Sequence, residues 1–405
     1  MLVQTFPQEL IDAFIDCLRG DKKSLARCTE VCRSFLPAAR RGLFETVVVH
    51  GRQRSFEDFL AFLQSATHIG GSVGHLHLKS EAPGHPEVRP QDGDTVTIPV
   101  LVQILSLLPR LVELRLSRVA IDVSGADGDL PAFHITSSFL HDVRVTNKRN
   151  AVALLRVITP KRLRIEHLPF GVFPPTAQEA EVFPRDGHFP SDWALEGLRL
   201  SMDLETCWIG GLMKDTPTAH TLSKVHLEFR HEDAIKGAES IMRAAAPNLR
   251  HLKLDIAFLD FEEFNVLESV HLLNLAACRA VVSIFLNIYL DLPAFQFLAR
   301  ALIATSGTLQ HFTVQWDWRG LDNEEMVQLF TSNGYDGEFS ELENALLHCR
   351  SLQAFTFRSL VPTIGSGEQQ VQDIVIQRLP MVHRKGLLKF EVVEESVYAF
   401  EDDNN

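Results

Sequence analysis

Apolar positions fall into two rhythms along this chain. Between Thr5 and Leu43 they recur at helical spacing. Leu10, Ile11, Phe14, Ile15 and Leu18 form one stripe, and Leu25, Cys28, Val31, Cys32 and Phe35 lie on neighbouring faces of a second. Pro7 suits a first helical turn, where its missing N–H would be unpaired anyway. Gly20 ends that helix, Asp21 is placed to cap the next, and the Leu36-Pro37 break opens a short third helix through Arg40 and Arg41. Three helices of this size cannot bury so many large side chains against each other, so part of their surface faces a partner or the rest of the chain.

From Phe44 onward the second rhythm takes over: apolar-x-x-apolar-x-apolar. It runs through Phe44-Val47-Val49, Val73-Leu76-Leu78, Leu111-Leu114-Leu116, Leu140-Val143-Val145, Leu195-Leu198-Leu200, Leu222-Val225-Leu227 and Leu249-Leu252-Leu254. It continues in Val281-Ile284-Leu286, Leu309-Phe312-Val314, Leu352-Phe355-Phe357 and Leu387-Phe390-Val392, with Leu163-Ile165 a partial copy led by Pro160. The last two apolar residues of each unit alternate with polar ones, which predicts a short strand with one buried face. Amphipathic helical stretches fall between strands, at Ser55–Ala66, Val100–Leu108, Ala234–Ala246 and Pro293–Thr305. Strand, helix, strand, repeated, predicts a parallel αβ coil. The step from Leu195 to Leu222 and from there to Leu249 is 27 residues each time, whereas Val73 to Leu111 spans 38. Insertions at 81–99, 169–192, 316–340 and 361–372 separate the units, the second rich in Pro and Phe and expected to seal the side of the coil.

The N-terminal segment resembles the F-box, a three-helix module that docks a small SKP-type adaptor of cullin–RING ubiquitin ligases. Phe6-Pro7 with Glu9-Leu10-Ile11, then Leu18, Leu25 and Val31-Cys32-Arg33-Ser34-Phe35 carry the likeness. The family usually has Leu-Pro at the first pair and often Trp where Phe35 stands. The repeats resemble a leucine-rich repeat of irregular length, without the Asn or Cys that normally follows the strand: Val119, Asp203, Arg230 and Ala257 stand there. The expected fold class is therefore α/β, with a helical module over 1–43, a leucine-rich-repeat-like solenoid of parallel strands over 44–395, and an acidic tail over 396–405.

Bulk properties narrow the classes of function. Hydrophobic residues make up 45% and charged residues 22%, which is a globular balance. A net charge of −13 argues against a nucleic-acid partner. Six scattered cysteines without a C-x-x-C pair argue against zinc and for a reducing compartment, so Cys28 and Cys32 read as small core residues. The most apolar run, 280–290, is too short to span a bilayer, and acids at Glu9 and Asp12 come too early for a signal peptide. The expectation is an intracellular protein of cytoplasm or nucleus, with no membrane association.

Candidate chemistry is sparse. Gly70-Gly71-Ser72-Val73-Gly74 matches the hydrolase nucleophile elbow, but that elbow needs strand, Ser, helix, and here a helix precedes and a strand follows. His75 and His77 alternate with Leu76 and Leu78 and point away from the core, without an acidic or Cys partner at fixed offset to complete a metal site. Gly365-Ser366-Gly367 lacks the Lys-Ser/Thr of a phosphate loop. Trp316 and Trp318 follow a strand where a binding rim would lie, or pack one inward and one over a loop.

The resemblance implies a substrate-recognition subunit of an SKP–cullin–F-box type ubiquitin ligase, not an enzyme, without catalytic residues, metal or cofactor. Phe6, Pro7, Leu10, Ile11, Leu18, Leu25, Val31 and Phe35 would face the adaptor, and through it a cullin. Trp316 and Trp318 are the expected contacts to an unidentified protein target. The alternative class is an interaction scaffold with no ligase attached, and a third is an esterase acting through Ser72.

Overall fold

A computed structural model describes residues 7–51, 53, 55–80, 95–123, 130–145, 147–168, 193–202, 209, 216–229, 233–256, 271–288, 292–316, 327–328, 331, 335–361 and 367–394. Phe6, Trp318, the Phe/Pro-rich insertion, Gly365-Ser366 and the acidic tail lie outside them. The fold is α/β with extensive parallel pairing, and the chain divides into two compact units, residues 1–193 and 194–405.

The first unit opens with three helices, α1 (Gln8–Asp16), α2 (Lys22–Val31) and α3 (Leu36–Phe44). Their ends follow from local chemistry. Gly20 takes a left-handed φ of 96° after α1. The Asp21 carboxylate accepts hydrogen bonds from the backbone N–H of Lys23 and Ser24 at 3.1 Å each. Pro37 stands in the first turn of α3.

Parallel strands β1 (Thr46–His50), β2 (His75–Lys79), β4 (Glu113–Ser117), β6 (Phe133–His141) and β8 (Ile158–Glu166) then pair in chain order. Three short strands, β3 (Thr95–Thr97), β5 (Ala120–Asp122) and β7 (Arg144–Val145), form a separate small sheet. Helix α4 (Phe56–Ser65) starts with a capping box. Asp58 N–H donates to Ser55 Oγ at 3.1 Å, and Ser55 N–H donates to the Asp58 carboxylate at 3.2 Å. Helix α5 (Thr67–Gly70) is a single turn, and α6 (Ile98–Ser106) is capped by Thr97.

Register aligns the buried side chains across strands. In the first unit Val49, Leu78, Leu116, Leu140 and Ile165 share one row, and Val47, Leu76, Leu114, Ser138 and Leu163 the next. One expectation is corrected. Leu140 sits opposite Leu116 rather than opening a new unit, and Val145 leaves for the small sheet, opposite Ile121. The cause is a left-handed residue directly after the strand. Arg118, Asp142 and His167, which follow β4, β6 and β8 at the same register position, have φ of 56°, 51° and 59°. Each turns the chain out of the main ladder.

The second unit carries β9 (Gly197–Met202), β10 (Lys224–Phe229), β11 (His251–Asp255), β12 (Ser283–Ile288), β13 (His311–Trp316), β14 (Ala354–Val361) and β15 (Leu388–Glu394), each parallel to the one before. Leu200, Leu227, Leu254, Leu286, Val314 and Phe357 make one buried row, which half-buried Phe390 continues. The last step is shifted by two residues from expectation, because Phe390 pairs with Phe357 and Leu388 with Phe355. Helices Asp233–Ala245 and Leu292–Thr305 bury Ile235, Ile241 and Met242, and Phe295, Leu298 and Leu302. The core here is aromatic: Trp316 lies 5.1 Å from Phe357 and 5.4 Å from Phe295, which lies 4.6 Å from Phe339.

Gly70 and Gly71 make a discriminating pair. A Cβ at Gly70 would collide with the Leu107 carbonyl oxygen, whereas one at Gly71 would meet nothing and its φ of −68° suits alanine. Gly70→Ala should therefore cost about 1–3 kcal/mol or more. Gly71→Ala should change stability by less than about 0.5 kcal/mol. Thermal unfolding of the two variants checks this, and equal midpoints would contradict it.

Candidate functional site

The helical module has its own small core. Ile11, Ile15, Leu25, Ala38 and Ala39 are buried together, and Leu18, Cys28, Phe35 and Leu43 pack against them. Ile15 and Leu25 are 1% and 0% exposed. Gly42 packs closely on Leu25, since a Cβ there would come within 3.1 Å of the leucine methyl. Gln8 Nε2 donates to the Ser34 carbonyl at 3.1 Å and ties the start of α1 to the α2–α3 link. Arg19 reaches Glu45 at 3.7 Å, and Lys22 Nζ donates to the Thr46 carbonyl at 3.3 Å, so the module is fastened to the first strand.

With that core filled, three large apolar side chains stay in water. Leu10 is 58%, Phe14 55% and Val31 65% exposed. Leu10 and Phe14 are four apart on α1 and share a face. Phe35 extends that face: its ring meets Phe14 edge-on at 6.3 Å. Single exposed leucines are ordinary, but two large side chains one turn apart beside a half-buried phenylalanine make a surface.

The expected contact residues therefore divide. Pro7, Leu10 and Val31 are exposed, and Phe35 and Leu18 are half-buried. Ile11 and Leu25 are core residues that shape the module and do not reach its surface. Phe14, missed as a contact, belongs to the exposed set. Cys32 is exposed, contrary to its reading as a core residue, whereas Cys28 packs on the core. Trp316 is corrected outright: it is 1% exposed and its ring is held among Phe295 and Phe357, so it builds the core instead of a rim.

Other chemical candidates find structural roles. Ser72 lies in the turn from α5 to β2, its N–H donating to the Ile69 carbonyl at 2.8 Å, so the order is helix, Ser, strand. Buried Cys278 and Cys349 have thiols pushed up to about 12 and about 11 by loss of solvent, far from nucleophilic thiolates. Among the described residues no three His, Cys, Asp or Glu side chains gather as a metal site, and no described helix is long and apolar enough to cross a membrane.

The face of the first unit's sheet opposite the buried rows is polar. His75 lies 3.7 Å from Glu113, which pairs with Arg115, and His141 lies 3.2 Å from Glu166. Arg164 lies over the Phe139 ring at 4.5 Å. His77 shares a 2.9 Å hydrogen bond with Ser117 Oγ. Burial, then the charges of Lys79 and Arg115, push its pKa down to about 4.

Neither a family model nor a curated protein matches this chain.

The His77 shift fixes a sign. Its folded pKa lies below the ordinary 6.5, so as pH falls from about 6.5 to about 4 the unfolded chain takes up a proton that the folded chain refuses. Stability should fall over that window, and the His77 share should level off below pH about 4. His77→Gln, which keeps a partner for Ser117, should make the loss between those pH values shallower. Denaturation midpoints of both proteins against pH test this, and parallel curves would contradict it.

Proposed function

We propose that this chain is the substrate-recognition subunit of an SKP–cullin–F-box type ubiquitin ligase. The helices over 8–44 dock an SKP-type adaptor, and the αβ coil beyond, read as a degenerate leucine-rich-repeat solenoid, holds a protein target. The observation that carries the reading is the exposure of Leu10 and Phe14 on a module whose interior is already complete. More than half of each side chain lies in water, so their placement together on one face calls for a partner that covers them. A docked pair of apolar residues of this size is the usual anchor of a helix-on-helix interface.

On this reading the protein performs no bond chemistry. It raises the effective concentration of a target lysine near a ubiquitin-charged partner enzyme. The contacts of Arg19 with Glu45 and of Lys22 with Thr46 favour that role, because they hold the adaptor-binding helices against the start of the first unit's sheet.

Leu10→Asp with Phe14→Asp should abolish co-purification of an SKP-type adaptor while leaving the thermal midpoint nearly unchanged, since both positions are solvated. Ile11 is left alone because a charge there would unfold the module. An adaptor retained by the double variant would overturn the assignment. A chain that never captures one but still binds its protein target would be the plain interaction scaffold.

A further inference from the structure

The polar face of the second unit's sheet is charged in a patterned way. Register places Lys224 beside His251, then Ser283 and His311, in one row across β10 to β13. The next row runs Arg199, His226, Lys253, Phe285 and Thr313 across β9 to β13. Neither row contains an acid. Carboxylates enter only in the third row, at Glu228 and Asp255, where Asp255 accepts a 3.0 Å hydrogen bond from buried Asn287. This lies on a chain with 52 acids against 39 Lys and Arg.

The side chains of the first row, Lys224, His251 and His311, are exposed, and Arg199, His226, Lys253 and Phe285 are half-buried. The fixed charges of the two rows are Lys224, Arg199 and Lys253; after burial, the charges of Lys224, Arg250 and His311 hold His251 below its ordinary pKa and so disfavour its protonated form. Phe285 sits amid them, with Lys253 Nζ at 4.8 Å and Arg358 Cζ at 5.3 Å from its ring centre. Arg358 in turn is held by Glu391 at 2.7 Å.

We propose that these two rows, with Phe285 as an apolar anchor, form the docking surface for an extended, Asp/Glu-rich segment of a protein target. Charge complementarity selects the partner. Strand spacing of about 4.8 Å spreads Lys224, Arg199 and Lys253 and the histidines between them over two rows, which matches charges strung along a peptide better than one compact anion. A nucleic acid is the poorer fit, because the chain's net −13 repels a polyanion beyond the two rows. As the chemistry of the ligase target, the surface rests on the receptor reading. As a binding surface, it stands without it.

The test is fluorescence anisotropy of a labelled Glu-rich peptide carrying one Phe, titrated with the full chain. Binding should weaken sharply from about 0.1 M to about 1 M salt, as the screening length falls from about 10 Å to about 3 Å. Lys224→Glu with Lys253→Glu should weaken it by about tenfold or more. Lys224→Gln with Lys253→Gln should weaken it less, and serves if the reversal disturbs folding. Arg243→Glu, on the exposed side of the helix Asp233–Ala245, should leave it unchanged. Equal binding of the same peptide with Gln for Glu would overturn the proposal. So would unchanged affinity in both lysine variants, or tighter binding of an oligouridylate. Adaptor co-purification by the same variants is read separately, so failure of one does not imply failure of the other.

Discussion

Parallel pairing in strict register is the constraint on which everything else in this molecule depends. Side chains alternate between the two faces of a strand, so in-register neighbours stack like with like. One face becomes continuous rows of Leu, Ile, Val and Phe under the helices, and the opposite face rows of His, Lys, Arg and Glu. Parallel sheets covered on both sides read as unbroken apolar runs. Here the alternation holds cleanly in β2, β4, β10 and β11, whose polar-parity side chains stay at least partly exposed and offer a surface for recognition.

The same constraint explains what could be read from the sequence. Strand positions and the buried parity of Leu76, Leu78, Leu252 and Leu254 follow from alternation alone. The caps at Asp21 and Ser55 and the turn at Gly20 were equally legible, because each is decided by one side chain and its neighbours. The misregistered units at Leu140 and Leu387 have different causes. At Leu140 the strand lies earlier in the chain and a left-handed Asp142 sends Val145 to another sheet. At Leu387 the slip is two residues, which keeps every side chain on its own face, so hydrophobicity cannot detect it and only the hydrogen bonds decide.

Trp316 was open to a closer reading. It has the parity of Phe312 and Val314, and a strand running two residues past the six-residue template carries it into the core. Leu10 and Ile11 show the opposite limit. Adjacent residues on a helix point about 100° apart, so a short module does not bury both. Which one faces inward was settled by contacts with Leu25 and Ala39 on two other helices, which no local pattern encodes. Phe14 then follows as the residue one turn from the exposed leucine.

The first strand of one unit and the last strand of the other differ at their edges. Among the described residues β1 pairs with β2 alone and β15 with β14 alone. Unpaired backbone at such an edge is a template on which another chain can add a strand. β15 carries Lys389, Glu391 and Glu394, so an incoming strand would meet charge at nearly every second residue. β1 is Thr-Val-Val-Val-His, with Val48 44% exposed, and carries no charged side chain of its own before His50, its cationic contact being Lys22 Nζ on the Thr46 carbonyl. Intermolecular strand addition, and with it self-association under stress, is therefore biased toward the β1 edge, the one beside the helical module.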